Sequence, residues 1–255
     1  MTNAVVLKSA AEIEIMRGAN RIVAGALAML GERIKPGVTT TQLDAWAEEY
    51  ARDRGGIPAF KGYRGFPGSL CVSLNEQVVH GIPSNKVVIR SGDIVSIDFG
   101  VKWRGYYGDA AITVPVGEVG AQVRELLRVT RESLNRAIAQ VQVGNRINDI
   151  SRAVQEYVEK HGFSVVRQFV GHGIGSQLHE PPEIPNYVRS NGSPRLMAGM
   201  VLAIEPMVNI GTAEVKILAD GWTVVTRDKK YSAHFEHSVA VTENGPLVLS
   251  AWELR

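Results

Sequence analysis

Two aspartates on either side of a tight turn give the first chemical signal. The segment from Asp93 to Asp109 reads Asp-Ile-Val-Ser-Ile-Asp-Phe-Gly-Val-Lys-Trp-Arg-Gly-Tyr-Tyr-Gly-Asp. A two-residue hairpin loop at Trp103-Arg104 places Asp98 directly opposite Asp109, with cross-strand Cβ atoms about 4.5–5.5 Å apart. Two like charges at that separation destabilise a sheet unless a proton or a cation lies between them. Taken alone, the pair reads equally well as two solvated carboxylates beside a turn.

Three further segments add donors. Gly171-His172-Gly173-Ile174-Gly175 follows the apolar Phe169-Val170 and reads as a glycine-rich loop that leaves an imidazole exposed at a strand end. It lacks the lysine and the spacing of a phosphate loop. Met200-Val-Leu-Ala-Ile-Glu205-Pro206 ends an apolar strand on a carboxylate, and Phe235-Glu236-His237 sets another beside a strand. A Glu in such a place needs a partner or a shifted pKa. Asp98, Asp109, Glu205 and Glu236 together carry a charge of −4, which two divalent cations neutralise, with His172 as a neutral fifth ligand. This hard, oxygen-rich set suits Mn, Fe, Co, Zn or Mg rather than a thiolate metal. Two such ions about 3.5–4 Å apart generate hydroxide at neutral pH and polarise a carbonyl. Spacing alone does not show that the five residues converge.

The ordered set Asn75-Glu76-Gln77-Val78-Val79-His80-Gly81-Ile82-Pro83, Asp98 with Asp109, Gly171 to Gly175, Ala203-Ile204-Glu205-Pro206 and Phe235-Glu236-His237 resembles the type I methionine aminopeptidases in their short bacterial form. The likeness spans essentially the whole chain. It implies the α+β pita-bread fold, in which two pseudo-twofold-related halves share a curved antiparallel sheet flanked by helices, here as one catalytic domain over residues 1–255. It also implies a cytoplasmic, monomeric, metal-dependent enzyme that removes the initiator methionine from nascent chains when the second residue is small, with transient ribosome association.

Roles follow from the resemblance residue by residue. Asp98 chelates one divalent ion (Mn, Fe, Co or Zn), His172 and Glu205 bind the other, and Asp109 and Glu236 bridge. His80 contacts the scissile amide, His179 hydrogen-bonds the carbonyl oxygen as charge builds on it, and Glu205 shuttles the proton of the bridging water. Phe60, Tyr63, Phe66, Cys71, His80, His179 and Trp222 line the substrate site. Phe60 and Leu178 stand where bacterial relatives often have Cys and Phe, which keeps the wall apolar but alters its shape. Backbone oxygens of Asn75, Gln77 and Ser232 form a monovalent-cation site in relatives. Without the resemblance, Cys71 reads as plain core and Trp222 as a core aromatic. His234 and His237 flank Glu236 but receive no metal in the family pattern, so both are expected to be structural.

The elements that must position these residues come in two similar sets. Ser9-Ala10-Ala11-Glu12 has capping-box spacing ahead of a long amphipathic run that Gly31 offers to stop. A second helix is predicted over about Thr41 to Arg54, a third over Val119 to Gln142 and a fourth over Asn148 to Lys160, which ends at Gly162. Shifting the sequence by 107 places Gly37 on Gly144, Leu43 on Ile150, Tyr50 on Tyr157 and Gly55 on Gly162, as a duplicated half would. Strands are predicted over Asp93 to Val101, Gly105 to Val116, Val165 to Val170, Met200 to Ile204, Trp222 to Thr226 and His237 to Thr242. The proline-rich run from Pro181 to Pro194 reads as an ordered loop.

Composition narrows the alternatives. The 255 residues include 45% hydrophobic and 21% charged residues, as in ordinary folded proteins, and the net charge is only +2. No dense basic stripe offers a phosphate-neutralising face, so nucleic-acid binding is not expected. Cys71 is the only cysteine, which excludes an intramolecular disulfide and Cys-rich zinc modules. The apolar runs are too short for a signal-peptide core or a membrane span. Among competing readings, proline-specific aminopeptidases and prolidases usually carry an extra N-terminal domain. A pita-bread binding protein that has lost its metals should lack at least one of the five ligands.

Overall fold

A computed structural model describes residues 4–190 and 192–251. Four helices, α1 (Ala10–Arg33), α2 (Thr40–Arg52), α3 (Ala121–Ala139) and α4 (Ile147–Lys160), pack against a nine-stranded sheet. α1 starts at the predicted capping box: the Ser9 hydroxyl accepts from Glu12 N, and the Glu12 carboxylate accepts from Ser9 N. It buries Leu27 and Leu30 fully, runs past Gly31 to Arg33, and is capped by the extended Ile34, ahead of Pro36. α4 buries Ile147, Ile150, Val154 and Val158, one stripe at helical spacing. His161 caps it, with Nδ1 2.7 Å from the Tyr157 carbonyl.

The main sheet runs in the order Ile57–Pro58, Ile94–Trp103, Tyr106–Pro115, Glu236–Thr242, Val201–Ile204, Gly171–Gly173, Glu180–Ile184. Cys71–Leu74 pairs with Ile94–Trp103, and Gly245–Val248 with Glu236–Thr242; all these pairings are antiparallel. Every residue of Val201–Ile204 is buried, as a strand covered on both faces requires.

Several expectations need correction. The hairpin loop is Arg104-Gly105, not Trp103-Arg104: Trp103 pairs with Tyr106, Asp98 with Ala111, and Asp109 with Gly100. A tight two-residue turn of the type that matches strand twist needs positive φ at both central positions, and Arg104 (φ 49°) and Gly105 (φ 88°) supply it. Gly171–Gly173 is a strand rather than a loop. A Cβ on Gly171 would stand 2.3 Å from the Ala203 carbonyl oxygen, so glycine is what lets the neighbouring strand approach. Of the predicted strand from Val165 to Val170 only Ser164–Val165 forms, paired with Met207–Asn209. The proline-rich stretch opens as the strand Glu180–Ile184, and its Asn191 lies outside the described residues. Among the described residues no helix is long and apolar enough to cross a membrane.

The duplication is visible in the backbone. Gly37 (φ 93°) and Gly144 (φ 92°) share a conformation, and so do Gly92 (φ 93°) and Gly199 (φ 90°). Gly37 N–H donates to the Ile89 carbonyl at 2.9 Å, and Gly144 N–H to that of Leu196 at 3.1 Å. The isolated bridges Thr39↔Val88 and Arg146↔Arg195 correspond as well. The same offset of 107 lays Ile94 to Asp98 on Val201 to Glu205, so each half ends an apolar strand segment on a carboxylate.

Candidate metal centre

Sheet register assembles the donors. Ala111 pairs with Asp98 on one side and with Glu236 on the other, so the two carboxylates flank a methyl group that leaves the space above the row open. Asp109 lies two residues from Ala111 and therefore points to the same face. His172 pairs with Ala203, and Glu205 follows two positions later at the end of its strand, beside the His237–Ile204 pair that adjoins Glu236. Donor atoms of Asp109, His172 and Glu236 lie within 4.8 Å of one another. His172 Nε2 is 3.6 Å from Glu205 Oε1. Its Nδ1 lies 3.0 Å from the Gly173 carbonyl, so the ring proton resides there and the Nε2 lone pair faces the carboxylates.

The electrostatics of this cluster fit a cation. Asp98 Oδ1, Asp109 Oδ1 and Glu236 Oε1 are buried without hydrogen-bond partners, which is costly for carboxylates unless something positive joins them. Burial pushes the Asp98 and Glu205 carboxyls up to about 7. Burial, and then the neighbouring carboxylates, raises Asp109 and Glu236 well above the ordinary range. Metal uptake must expel the protons that these groups hold. At pH 6 Asp98 and Glu205 are mostly protonated in the metal-free protein, and at pH 8 mostly ionised. Titration calorimetry of Co²⁺ binding in buffers of different ionisation enthalpy is expected to show more protons released per ion at pH 6 than at pH 8. Equal release at both pH values would contradict these elevated carboxyls.

One histidine adjoins the cluster without belonging to it. His234, expected to be structural, is 1% exposed, and its Nε2 stands 3.6 Å from Glu205 Oε2 without a hydrogen-bond partner. His237 sits elsewhere, with Nδ1 2.9 Å from the Ser250 hydroxyl.

A cavity of about 150 Å³ opens over the carboxylates. Its walls bring together Phe60, Tyr63, Phe66, Cys71, His80, His179 and Trp222 with Asp98, Asp109, His172, Glu205 and Glu236, and Leu178 also lines it. Phe66 meets Trp222 edge-on at 5.2 Å between ring centroids, and His80 meets Phe169 at 5.5 Å. Phe60 packs where Gly100 leaves room, since a Cβ there would stand 2.7 Å from its ring. His80 adopts φ 60°, a conformation that costs a non-glycine residue on the order of 1–3 kcal/mol. Burial lowers its imidazole pKa to about 4, so it is neutral at pH 7. His179 lies over His172 at 4.2 Å between centroids, and its Nδ1 is 2.8 Å from the Tyr63 hydroxyl. Desolvation, then the neighbouring His172 and Arg64, lowers its pKa to about 3. When the Tyr63 hydroxyl donates to Nδ1, the ring proton sits on Nε2 and is available to an incoming oxygen. Arg64 also lines the cavity, a cation that sequence reasoning missed; only its place next to Tyr63 hinted at it. Asn75 and Ser232 meet through a 2.8 Å hydrogen bond from Ser232 N–H to the Asn75 carbonyl, and Gln77 pairs with Val225 nearby.

Comparison with known proteins bears on this arrangement. The model of Metallopeptidase family M24 matches residues 14–243. The chain is 54% identical over 241 residues to methionine aminopeptidase 1 of Bacillus subtilis (strain 168), covering 94% of this chain and 97% of that protein. The chain belongs to the methionine aminopeptidases of metallopeptidase family M24. The methionine aminopeptidase of Clostridium perfringens (strain 13 / Type A) is 52% identical over 246 residues, covering 96% of this chain and 98% of that protein. The crystal structure of methionine aminopeptidase from Thermotoga maritima superposes with a TM-score of 0.95 at 46% identity, covering 98% of this chain and 100% of that one. The sheet and its flanking helices are the pita-bread fold of the methionine aminopeptidases, and the buried donor cluster lies on its sheet.

Proposed function

We propose that this protein hydrolyses the first peptide bond of nascent chains that begin with methionine followed by a small residue such as Gly, Ala or Ser. The observation that carries this reading is the floor of buried, unpartnered carboxylates beneath an apolar, aromatic-walled cavity. Asp98, Asp109, His172, Glu205 and Glu236 would hold two divalent cations, Asp98 serving one, His172 and Glu205 the other, and Asp109 and Glu236 contributing to both. When bound, the metals would supply Lewis-acid polarisation and an acidified water.

The chain's own groups do the rest. The apolar wall receives the methionine side chain, with Cys71 and Trp222 beside its sulfur, and so sets the register of the scissile bond. His179 donates to the carbonyl oxygen as negative charge develops there, which a neutral, Nε2-protonated ring can do. His80, also neutral, faces the amide nitrogen. Glu205 takes the proton of the attacking water and returns it to the departing amine, a task suited to a carboxyl near pKa 7.

All these groups come from one chain, so the site needs no residue from a second copy to be complete. The protein's substrates place it in the cytoplasm, where it meets the ribosome transiently. Backbone oxygens of Asn75, Gln77 and Ser232 offer a place for a monovalent cation.

Release of free methionine from Met-Ala-Ser is the direct test. Stripping divalent metals should reduce the rate to background, and adding Co²⁺ or Mn²⁺ should restore it. Full turnover by metal-stripped protein would overturn the proposal.

A further inference from the structure

Lys8 and Glu180 form an ion pair inside the protein. Lys8 Nζ donates to Glu180 Oε2 at 2.6 Å, and the two side chains are 3% and 5% exposed. Lysine and glutamate are almost never buried so completely unless they are paired. Their other polar atoms are engaged as well. Nζ donates to the Val6 carbonyl at 2.9 Å, and Glu180 Oε1 accepts from Gln177 N–H at 3.0 Å and from the Ser176 hydroxyl at 3.4 Å. Gly175 leaves room for the pair, since a Cβ there would stand 2.4 Å from Lys8 Cε and 2.6 Å from Glu180 Oε1. A buried ion pair is weak evidence for stability, because two apolar side chains of similar volume often serve as well. Its geometric consequence is more informative.

The pair sits at the end of the loop 174–179, which joins the strands Gly171–Gly173 and Glu180–Ile184 and brings Leu178 and His179 to the cavity wall. Glu180 follows His179 directly. Its carboxylate turns back to the Gln177 amide, so Leu178 and His179 lie within the span that this hydrogen bond closes. The other partner is anchored independently: Lys8 N–H donates to the Gly199 carbonyl at 2.7 Å, just ahead of α1. At the near end of the loop the Gly175 carbonyl accepts from Tyr107 N–H at 2.9 Å. Held in this way, the His179 ring lies over His172 and against the Tyr63 hydroxyl.

We infer that Lys8 is a positioning residue for His179. Through the buried Glu180 carboxylate, the segment ahead of α1 sets where the His179 imidazole meets the substrate carbonyl. This inference rests on the role proposed above for His179.

A double-mutant cycle between Lys8 and His179, run on the metal-loaded full chain with Met-Ala-Ser, tests it. Lys8→Met keeps an unbranched stem and removes the charge. It is expected to lower kcat by about 10–100-fold with KM almost unchanged, the order of loss that a small misplacement of a catalytic group causes. His179→Ala alone should lower kcat by about 10²–10³-fold. Adding Lys8→Met to it should cause no further loss, because no imidazole is left to misplace. Hydrogen exchange at the Gln177 amide should be roughly tenfold faster or more in Lys8→Met than in the wild-type protein. Losses that multiply in the double variant would overturn the inference, and so would an unchanged kcat or unchanged Gln177 exchange in Lys8→Met. An unchanged kcat in His179→Ala is a different result, which would overturn the role of His179 itself and the inference with it. If Lys8→Met fails to fold, Lys8→Met with Glu180→Gln takes its place in the cycle, since the neutral pair leaves no lone buried charge.

Discussion

Glu205→Gln is expected to lower kcat for Met-Ala-Ser by about 10²–10⁴-fold, the usual worth of a positioned general acid–base. The substitution keeps the shape of the side chain but removes the proton acceptor. Glu205 is placed for that task by being deep enough to titrate near 7 yet flanked by two imidazole nitrogens at 3.6 Å. Asp109 and Glu236 are poorer candidates, because their more heavily perturbed carboxyls are committed to the cluster between the strands. Because Glu205 is also a proposed ligand, the variant's metal content must be measured alongside its rate. The shuttle assignment predicts that kcat stays low when excess metal restores full occupancy. Recovery to near wild-type kcat at full occupancy would remove the proton-transfer role and leave Glu205 as a ligand only.

The site was more legible in the sequence than the hairpin that carries it. Placing the loop at Trp103-Arg104 ignored the requirement for positive φ at both turn positions, and the actual Arg104-Gly105 turn slips the pairing by two residues. A slip of two preserves face parity, so Asp98 and Asp109 still point the same way even though they are not opposite one another. A slip of one would have separated them. The glycines around His172 suggested a loop because local composition cannot show that Ala203 and Ile184 lie against Gly171 from distant parts of the chain. The strand Ser232–His234 belongs to a separate three-stranded sheet while Glu236 opens a strand of the main sheet, so no single strand pattern covers the segment around Glu236. The duplication was readable from a few glycines and tyrosines. Its consequence for the site, the correspondence of Asp98 with Glu205, is plain only once both carboxylates are seen on the cavity wall.

Met-Ala-Ser is expected to be cleaved well, Leu-Ala-Ser poorly but measurably, and Lys-Ala-Ser not at all. The methionine slot is bounded by Phe60, Phe66 and Cys71, all buried, and by the half-buried Tyr63 and Trp222. The cavity of about 150 Å³ includes the carboxylate floor as well as the apolar wall, so the slot has room for one side chain and little else. Sulfur–aromatic contacts with Phe66 and Trp222 favour a thioether by about 0.3–1.5 kcal/mol each. Leucine lacks those contacts and is branched nearer its backbone, yet swaps between apolar side chains of similar size are worth only about 1–3 kcal/mol, or roughly 10–200-fold. Lysine is a different case. Its ammonium would enter an apolar slot with no acceptor of its own, because the nearby carboxylates are engaged with metal, and burying an unpaired charge is far costlier than a change of shape. Arg64 on the cavity wall adds like-charge repulsion. That same arginine offers a counter-charge to glutamate, so Glu-Ala-Ser should be excluded less completely than Lys-Ala-Ser, and Arg64→Ala should remove the difference. Phe60→Cys should leave the order of Met, Leu and Lys unchanged, since it only deepens an apolar wall. Measured kcat/KM values for the tripeptides decide the matter: comparable rates for Lys-Ala-Ser and Met-Ala-Ser would mean that the side chain next to the scissile bond does not enter this slot.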